Sequence, residues 1–192
     1  KKREDIGEIY NSKKEMIEKG HVVAWNKLIK REILEKTNIK FPVGLRYEDM
    51  EFFYKLVPYI NKVSFVKKCM VHYVQRVDSI ANTQNSRTKE VFKILDNVIS
   101  YYKEKNLYDE YKEELEYIYV RFLLCSSLKR MCKIADKSER KQAQNETWEN
   151  INKNFPGWRK NPILKKKNLK NLYIKSNNKI TFKIYCFFLH LL

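Results

Sequence analysis

Beyond Ser86 the apolar residues step by three and four along the chain. Val91, Leu95, Val98 and Tyr102 mark one helix, and Leu107, Tyr111, Leu115, Ile118, Phe122, Cys125, Leu128, Met131 and Ala135 mark a longer one. These stripes read as helix–helix packing rather than a cofactor box. A third helix spans roughly 137–152, and Phe155-Pro156-Gly157-Trp158 breaks it. Ahead of Ser86 the pattern is mixed. Ile6, Ile9, Met16 and Ile17 give a weak helix, and His21-Val22-Val23-Ala24-Trp25 reads as a short buried strand. A short helix over 30–36 points Ile33 and Leu34 inward. Two further stretches, Lys62–Val66 and Cys69–Val74, carry β-branched residues and predict strands joined at Lys67-Lys68.

Between these lies Phe41-Pro42-Val43-Gly44-Leu45-Arg46-Tyr47-Glu48-Asp49, a loop that runs into a helix. Pro42 fixes φ, Gly44 supplies a flexible point, and Met50, Phe53, Leu56, Val57 and Ile60 follow at helical spacing until Pro58 ends the helix. Glu48 and Asp49 therefore fall in a first helical turn, where free N–H groups and the helix dipole favour negative charge. From spacing alone they read as helix-start acids.

Charge changes the picture at the far end. The chain of 192 residues carries +17, and its 43% hydrophobic and 14% aromatic content predicts a packed core rather than disorder. From Ile151 to Leu192 there is no acid, against ten cations: Lys153, Arg159, Lys160, Lys165, Lys166, Lys167, Lys170, Lys175, Lys179 and Lys183. Such asymmetry predicts a polyanionic partner, either phospholipid headgroups or nucleic acid. The apolar run Ile180–Leu192 is too short to span a bilayer, which needs roughly twenty residues. Two readings stay open for it: it lies in a membrane interface with the lysines on anionic headgroups, or Phe182, Tyr185, Phe188 and Leu191 dock on the helical bundle. Cys69, Cys125, Cys132 and Cys186 form no CxxC pair and read as core thiols in a reducing compartment; no metal site is expected from them. The start, Lys1-Lys2-Arg3-Glu4-Asp5, shows no signal peptide.

Three segments in fixed order carry a family resemblance: Trp25-Asn26-Lys27-Leu28-Ile29-Lys30-Arg31-Glu32, then Phe41-Pro42-x-Gly44-x-x-Tyr47-Glu48-Asp49, then Tyr73-Val74-Gln75-Arg76-x-Asp78-Ser79-Ile80. Together they resemble the second half of bacterial family 2 glycosyltransferases, inverting enzymes of the GT-A fold that use nucleotide-sugars. Phe155-Pro156-Gly157-Trp158-Arg159-Lys160-Asn161 resembles the tail of members that build capsule, exopolysaccharide or lipopolysaccharide. The resemblance implies a mainly α chain with a few β-strands. Residues 1–85 would be the C-terminal part of an incomplete α/β GT-A core, and 86–192 a helical extension with a basic, membrane-associating tail.

The resemblance also implies roles. Asp49 would be the base that takes the proton from an acceptor hydroxyl, with Glu48 orienting it; exposed at a helix start, the base should stay ionised. Arg76, Ser79 and Gln75 would hold the donor diphosphate, and Trp25, Asn26 and Lys27 would line the sugar or acceptor pocket. His72 reads as a packed strand histidine. Members clamp Mg²⁺ or Mn²⁺ with an Asp-x-Asp motif in an upstream nucleotide-binding half, and neither precedes Trp25, so the chain as given is expected to be inactive alone. The expected partners are a nucleotide-sugar, a glycan or lipid-linked glycan acceptor and an anionic membrane surface, with the protein cytoplasmic and peripheral on the inner face of the plasma membrane. The alternatives are a basic helical module that binds nucleic acid, or a non-catalytic interaction scaffold.

Overall fold

The computed structural model describes residues 10–66, 68–74 and 83–191. Among these, every regular element is helical and no strand is present. The helices are α1 (Lys13–Lys19), α2 (Arg31–Thr37), α3 (Glu48–Leu56), α4 (Glu90–Glu104), α5 (Tyr108–Phe122), α6 (Leu128–Met131), α7 (Lys137–Asn154), α8 (Leu169–Ser176) and α9 (Lys179–Leu191). No described helix is long and apolar enough to cross a membrane.

The expected α/β core with a few strands is therefore corrected. His21–Trp25 does not form a strand because its carbonyls are used locally: the Lys27 ammonium takes the carbonyls of His21 and Val23, the latter at 2.6 Å, and the chain coils into a short 3₁₀ turn at Ala24–Asn26. Residues 62–66 and 68–74 are mostly solvent-exposed, including Val66, Met70, Val71 and Val74. Two strands on their own are marginal in water, and among the described residues no strand is there to pair with them. Composition suited them to a sheet; among the described residues there is none. His72 is exposed rather than packed, and so is Cys69.

The helical half follows the apolar pattern closely. Val91, Leu95, Val98 and Tyr102 of α4 are all fully buried, and the Tyr102 hydroxyl donates to the Tyr54 carbonyl at 2.8 Å, fixing α4 on α3. α5 continues through a π-turn at Leu123–Ser127 into α6, making one long rod at the centre of the molecule. The extra residue per turn rotates the buried face. Leu123, Leu124 and Ser127 point inward there, while Phe122 and Cys125, which the regular spacing directs inward, are half-buried. One hydrophobic cluster gathers Met16 and Ile17 of α1, Phe53 and Tyr54 of α3, the α4 and α5 stripes, Trp158, and Phe182 and Cys186 of α9. A smaller one unites Ile39, Phe52 and Leu56 with Ile33 and Leu34 of α2.

Candidate functional site

The loop over residues 41–47 is pinned at both ends. Phe41 stacks on Phe52 of α3, with ring centroids 4.0 Å apart and planes 15° from parallel. Gly44 has φ of 76°, a left-handed geometry that a side chain resists, so glycine is favoured here. Glu90, the first residue of α4, then holds the loop: one carboxylate oxygen accepts from the Arg46 backbone N–H at 2.6 Å, and the other accepts from Arg87 Nε at 2.8 Å. Arg87 Nη2 donates to the Gly44 carbonyl at 3.0 Å, closing the clamp, and Arg46 Nη1 reaches the Thr83 carbonyl at 3.0 Å. The Arg87 guanidinium holds the Glu90 carboxyl below the usual carboxylate range.

Tyr47, which caps α3, has φ of 66°. A non-glycine residue there costs about 1–3 kcal/mol, and such geometry persists only where the surroundings enforce it. Its ring packs on the core and lies under the Arg130 guanidinium, 5.4 Å from the centroid, so α6 supplies part of that enforcement. The strained cap aims the first turn of α3, which carries Glu48, Asp49 and Glu51. These three acids have different fates. Glu51 is buried and committed to structure, bonded by Lys55 at 2.6 Å and by Asn97 Nδ2 at 2.8 Å. Glu48 is exposed, and Asp49 is half-buried.

Asp49 departs from the sequence expectation in one respect. Burial raises its carboxyl above the ordinary value, and the neighbouring Glu48 charge adds to the rise. The N–H groups of Met50 and Asp49 itself and the charge of Lys27 oppose it, and burial wins. Lys27 shows the mirror image: burial pushes its ammonium down to about 8, with the charge of Asp49 holding it up. The ammonium is tied to the carbonyls of His21 and Val23 and to Asn26 Oδ1 at 2.8 Å, and it lies 5.0 Å from the centre of the Phe53 ring. A carboxylate and an ammonium from separate segments thus share a partly desolvated corner.

Trp25, two residues before Lys27, is 53% exposed and stacks on Tyr73, with centroids 5.6 Å apart and planes 11° from parallel. The stacked pair is an exposed aromatic platform, an apolar face with a polar edge. Of the residues the sequence singled out, the structure brings Asp49 and Lys27 within electrostatic reach, bonds Asn26 to Lys27, and leaves Trp25 and Glu48 at the surface. Gln75, Arg76 and Ser79 lie outside the described residues. The Arg46–Arg87–Glu90 clamp was not foreseen, because nothing in the local pattern links residues 44 and 46 to 87 and 90.

Two cavities open elsewhere. One of about 500 Å³ lies between α7 and α9, and one of about 210 Å³ lies beside Pro58 and Tyr59; Asp49 lines neither. Among the described residues no group of three or more His, Cys, Asp and Glu side chains is arranged to hold a metal ion. Comparison with protein-family models, with curated proteins and with solved structures finds no match to this chain.

Proposed function

We propose that this chain is the acceptor-side portion of an inverting, nucleotide-sugar-dependent glycosyltransferase of family 2, with Asp49 as its general base. The observation that carries the reading is the environment of Asp49. It sits in the first turn of a helix aimed by a strained cap, just after a loop clamped by Glu90, with its basicity raised by burial and its charge supported by Lys27. A carboxylate of raised pKa is a stronger base, and the adjacent ammonium favours its ionised, proton-accepting form.

In the proposed reaction an acceptor hydroxyl lies against Asp49. Its oxygen attacks the anomeric carbon of the donor sugar while the carboxylate takes the proton. The bond from that carbon to the diphosphate oxygen breaks, and the electron pair leaves with the nucleoside diphosphate, so the anomeric centre inverts. Glu48, exposed beside the base, orients the acceptor through its hydroxyls. The paired rings of Trp25 and Tyr73 give a sugar ring an apolar face to lie on. Gln75, Arg76 and Ser79 are retained as the groups proposed for the diphosphate. Donor binding with its divalent metal belongs to residues other than those described. A glycan or lipid-linked acceptor places the reaction at the inner membrane face, with the protein peripheral; the basic tail supports that placement.

The test is transfer from a panel of nucleotide-sugars to glycan acceptors by the complete gene product and its Asp49→Asn variant. Loss of transfer by about 10²–10⁴-fold with donor binding retained is the expected result. Equal transfer by the variant removes Asp49 as base.

A further inference from the structure

α9 has two apolar faces, and only one of them is used by the core. Phe182 and Cys186 are buried, and Tyr185 and Leu189 are half-buried along the same side. Opposite them, Ile180, Ile184, Phe187, Phe188 and Leu191 recur at helical spacing and are each between 46% and 72% exposed. These five fall within about 100° of one another around the helix axis, a continuous stripe along the full length of α9. A soluble surface scatters its exposed apolar residues; a stripe along one helix marks an interaction face.

The border of that stripe says what covers it. Lys179, Lys183 and His190 follow one edge, and none of the described carboxylates lies within ion-pair distance of either lysine. The same three basic residues, with Arg140, Trp148 and Phe187, line the cavity of about 500 Å³ between α7 and α9. Glu149 is the single acid on its wall. Upstream, Lys165, Lys167, Lys170 and Lys175 are exposed, and no acid occurs from Ile151 to Leu192. An apolar stripe edged by unpaired lysines matches the boundary between acyl chains and anionic headgroups.

We propose that α9 docks the chain on an anionic lipid surface. Ile180, Ile184, Phe187, Phe188 and Leu191 enter the acyl boundary, and Lys179 and Lys183, at the mouth of the basic cavity, take the lipid phosphates. This inference does not depend on the transferase reading, because vesicle binding requires neither donor nor acceptor.

Co-sedimentation of the full chain with vesicles of phosphatidylcholine alone, and of phosphatidylcholine mixed with phosphatidylglycerol, tests it. The wild type should bind the mixed vesicles, less as salt is raised, and bind the neutral ones poorly. The pairs Phe187→Ser with Phe188→Ser, and Lys179→Glu with Lys183→Glu, should each weaken binding at least about tenfold. Both pairs lie on the exposed side, so circular dichroism should be unchanged. Binding by either pair equal to the wild type overturns the proposal. So does a wild type that ignores the vesicles, whether the stripe then mediates self-association in sizing runs or the basic surface shifts arbitrary DNA instead.

Discussion

Lys27 and Asp49 are opposite charges near each other, and each has its charged form disfavoured by burial more than the other restores it. Their proximity therefore adds little to stability, as expected when desolvation exceeds the Coulomb gain.

The first consequence is a pH dependence. The Lys27 ammonium titrates near 8 in the folded chain against 10.5 when unfolded. A lysine with a lowered folded value is protonated in both states below 8, and above that only the unfolded chain holds the extra proton. Stability therefore rises as pH climbs from about 8 towards 10.5 and is flat below 8. Because Lys27 is only half-buried, solvent screening limits the gain to about 1 kcal/mol. Urea midpoints across that window should show the rise in the wild type and lose it in Lys27→Met. Parallel curves for the two proteins would contradict the assignment.

Asp49→Asn should fold at least as well as the wild type at neutral pH. Its carboxyl is raised in the folded state, so ionisation there costs stability that a neutral amide of the same shape avoids. A midpoint unchanged or higher, with an apparent gain below about 1 kcal/mol, is the expected outcome. A clear loss of stability would make Asp49 a structural cap and remove the basis for a chemical role.

Glu51, two residues on, should behave in the opposite way. Its buried carboxylate uses one oxygen for Lys55 and the other for Asn97. Asn97→Ala leaves one oxygen unpaired and should destabilise by about 1–3 kcal/mol, read from urea unfolding. The double variant Glu51→Gln, Asn97→Ala should recover part of that loss, since the buried charge is gone.

Two glycines separate backbone strain from lack of space. At Gly44 a Cβ meets open space but the φ of 76° is unfavourable, so Gly44→Ala should cost about 1 kcal/mol. At Gly20 a Cβ would sit 2.4 Å from the Met16 carbonyl oxygen and 2.5 Å from the Phe53 ring. Gly20→Ala must push α1 from α3 and should lower the melting temperature well beyond the Gly44 variant. The reverse order would be inconsistent with the packing of α1 on Phe53.

How much was legible varied with the range of the interaction. The α4 stripe and the end of α3 at Pro58 were readable because each rests on residues three or four apart, and helical periodicity is a local signal. The expected strands at 62–66 and 69–74 failed because a strand is stabilised by its neighbours, and β-branched composition says nothing about whether a neighbour exists. The site divides in the same way. Asp49 at a helix start followed from Pro42, Gly44 and the apolar spacing beyond. Its raised basicity did not, because that depends on how much water Lys27, Phe53 and the α3 cap exclude.

The sequence by itself determined the helices α4, α5 and α7, the ten cations of an acid-free tail and the position of two acids at the head of α3. Only the tertiary structure decided that Glu90 would clamp the loop, that Lys27 would face Asp49, and that α9 would bury one apolar side and leave the other in water. The reason is physical: periodicity and charge are properties of the chain, whereas desolvation belongs to groups brought together from distant positions.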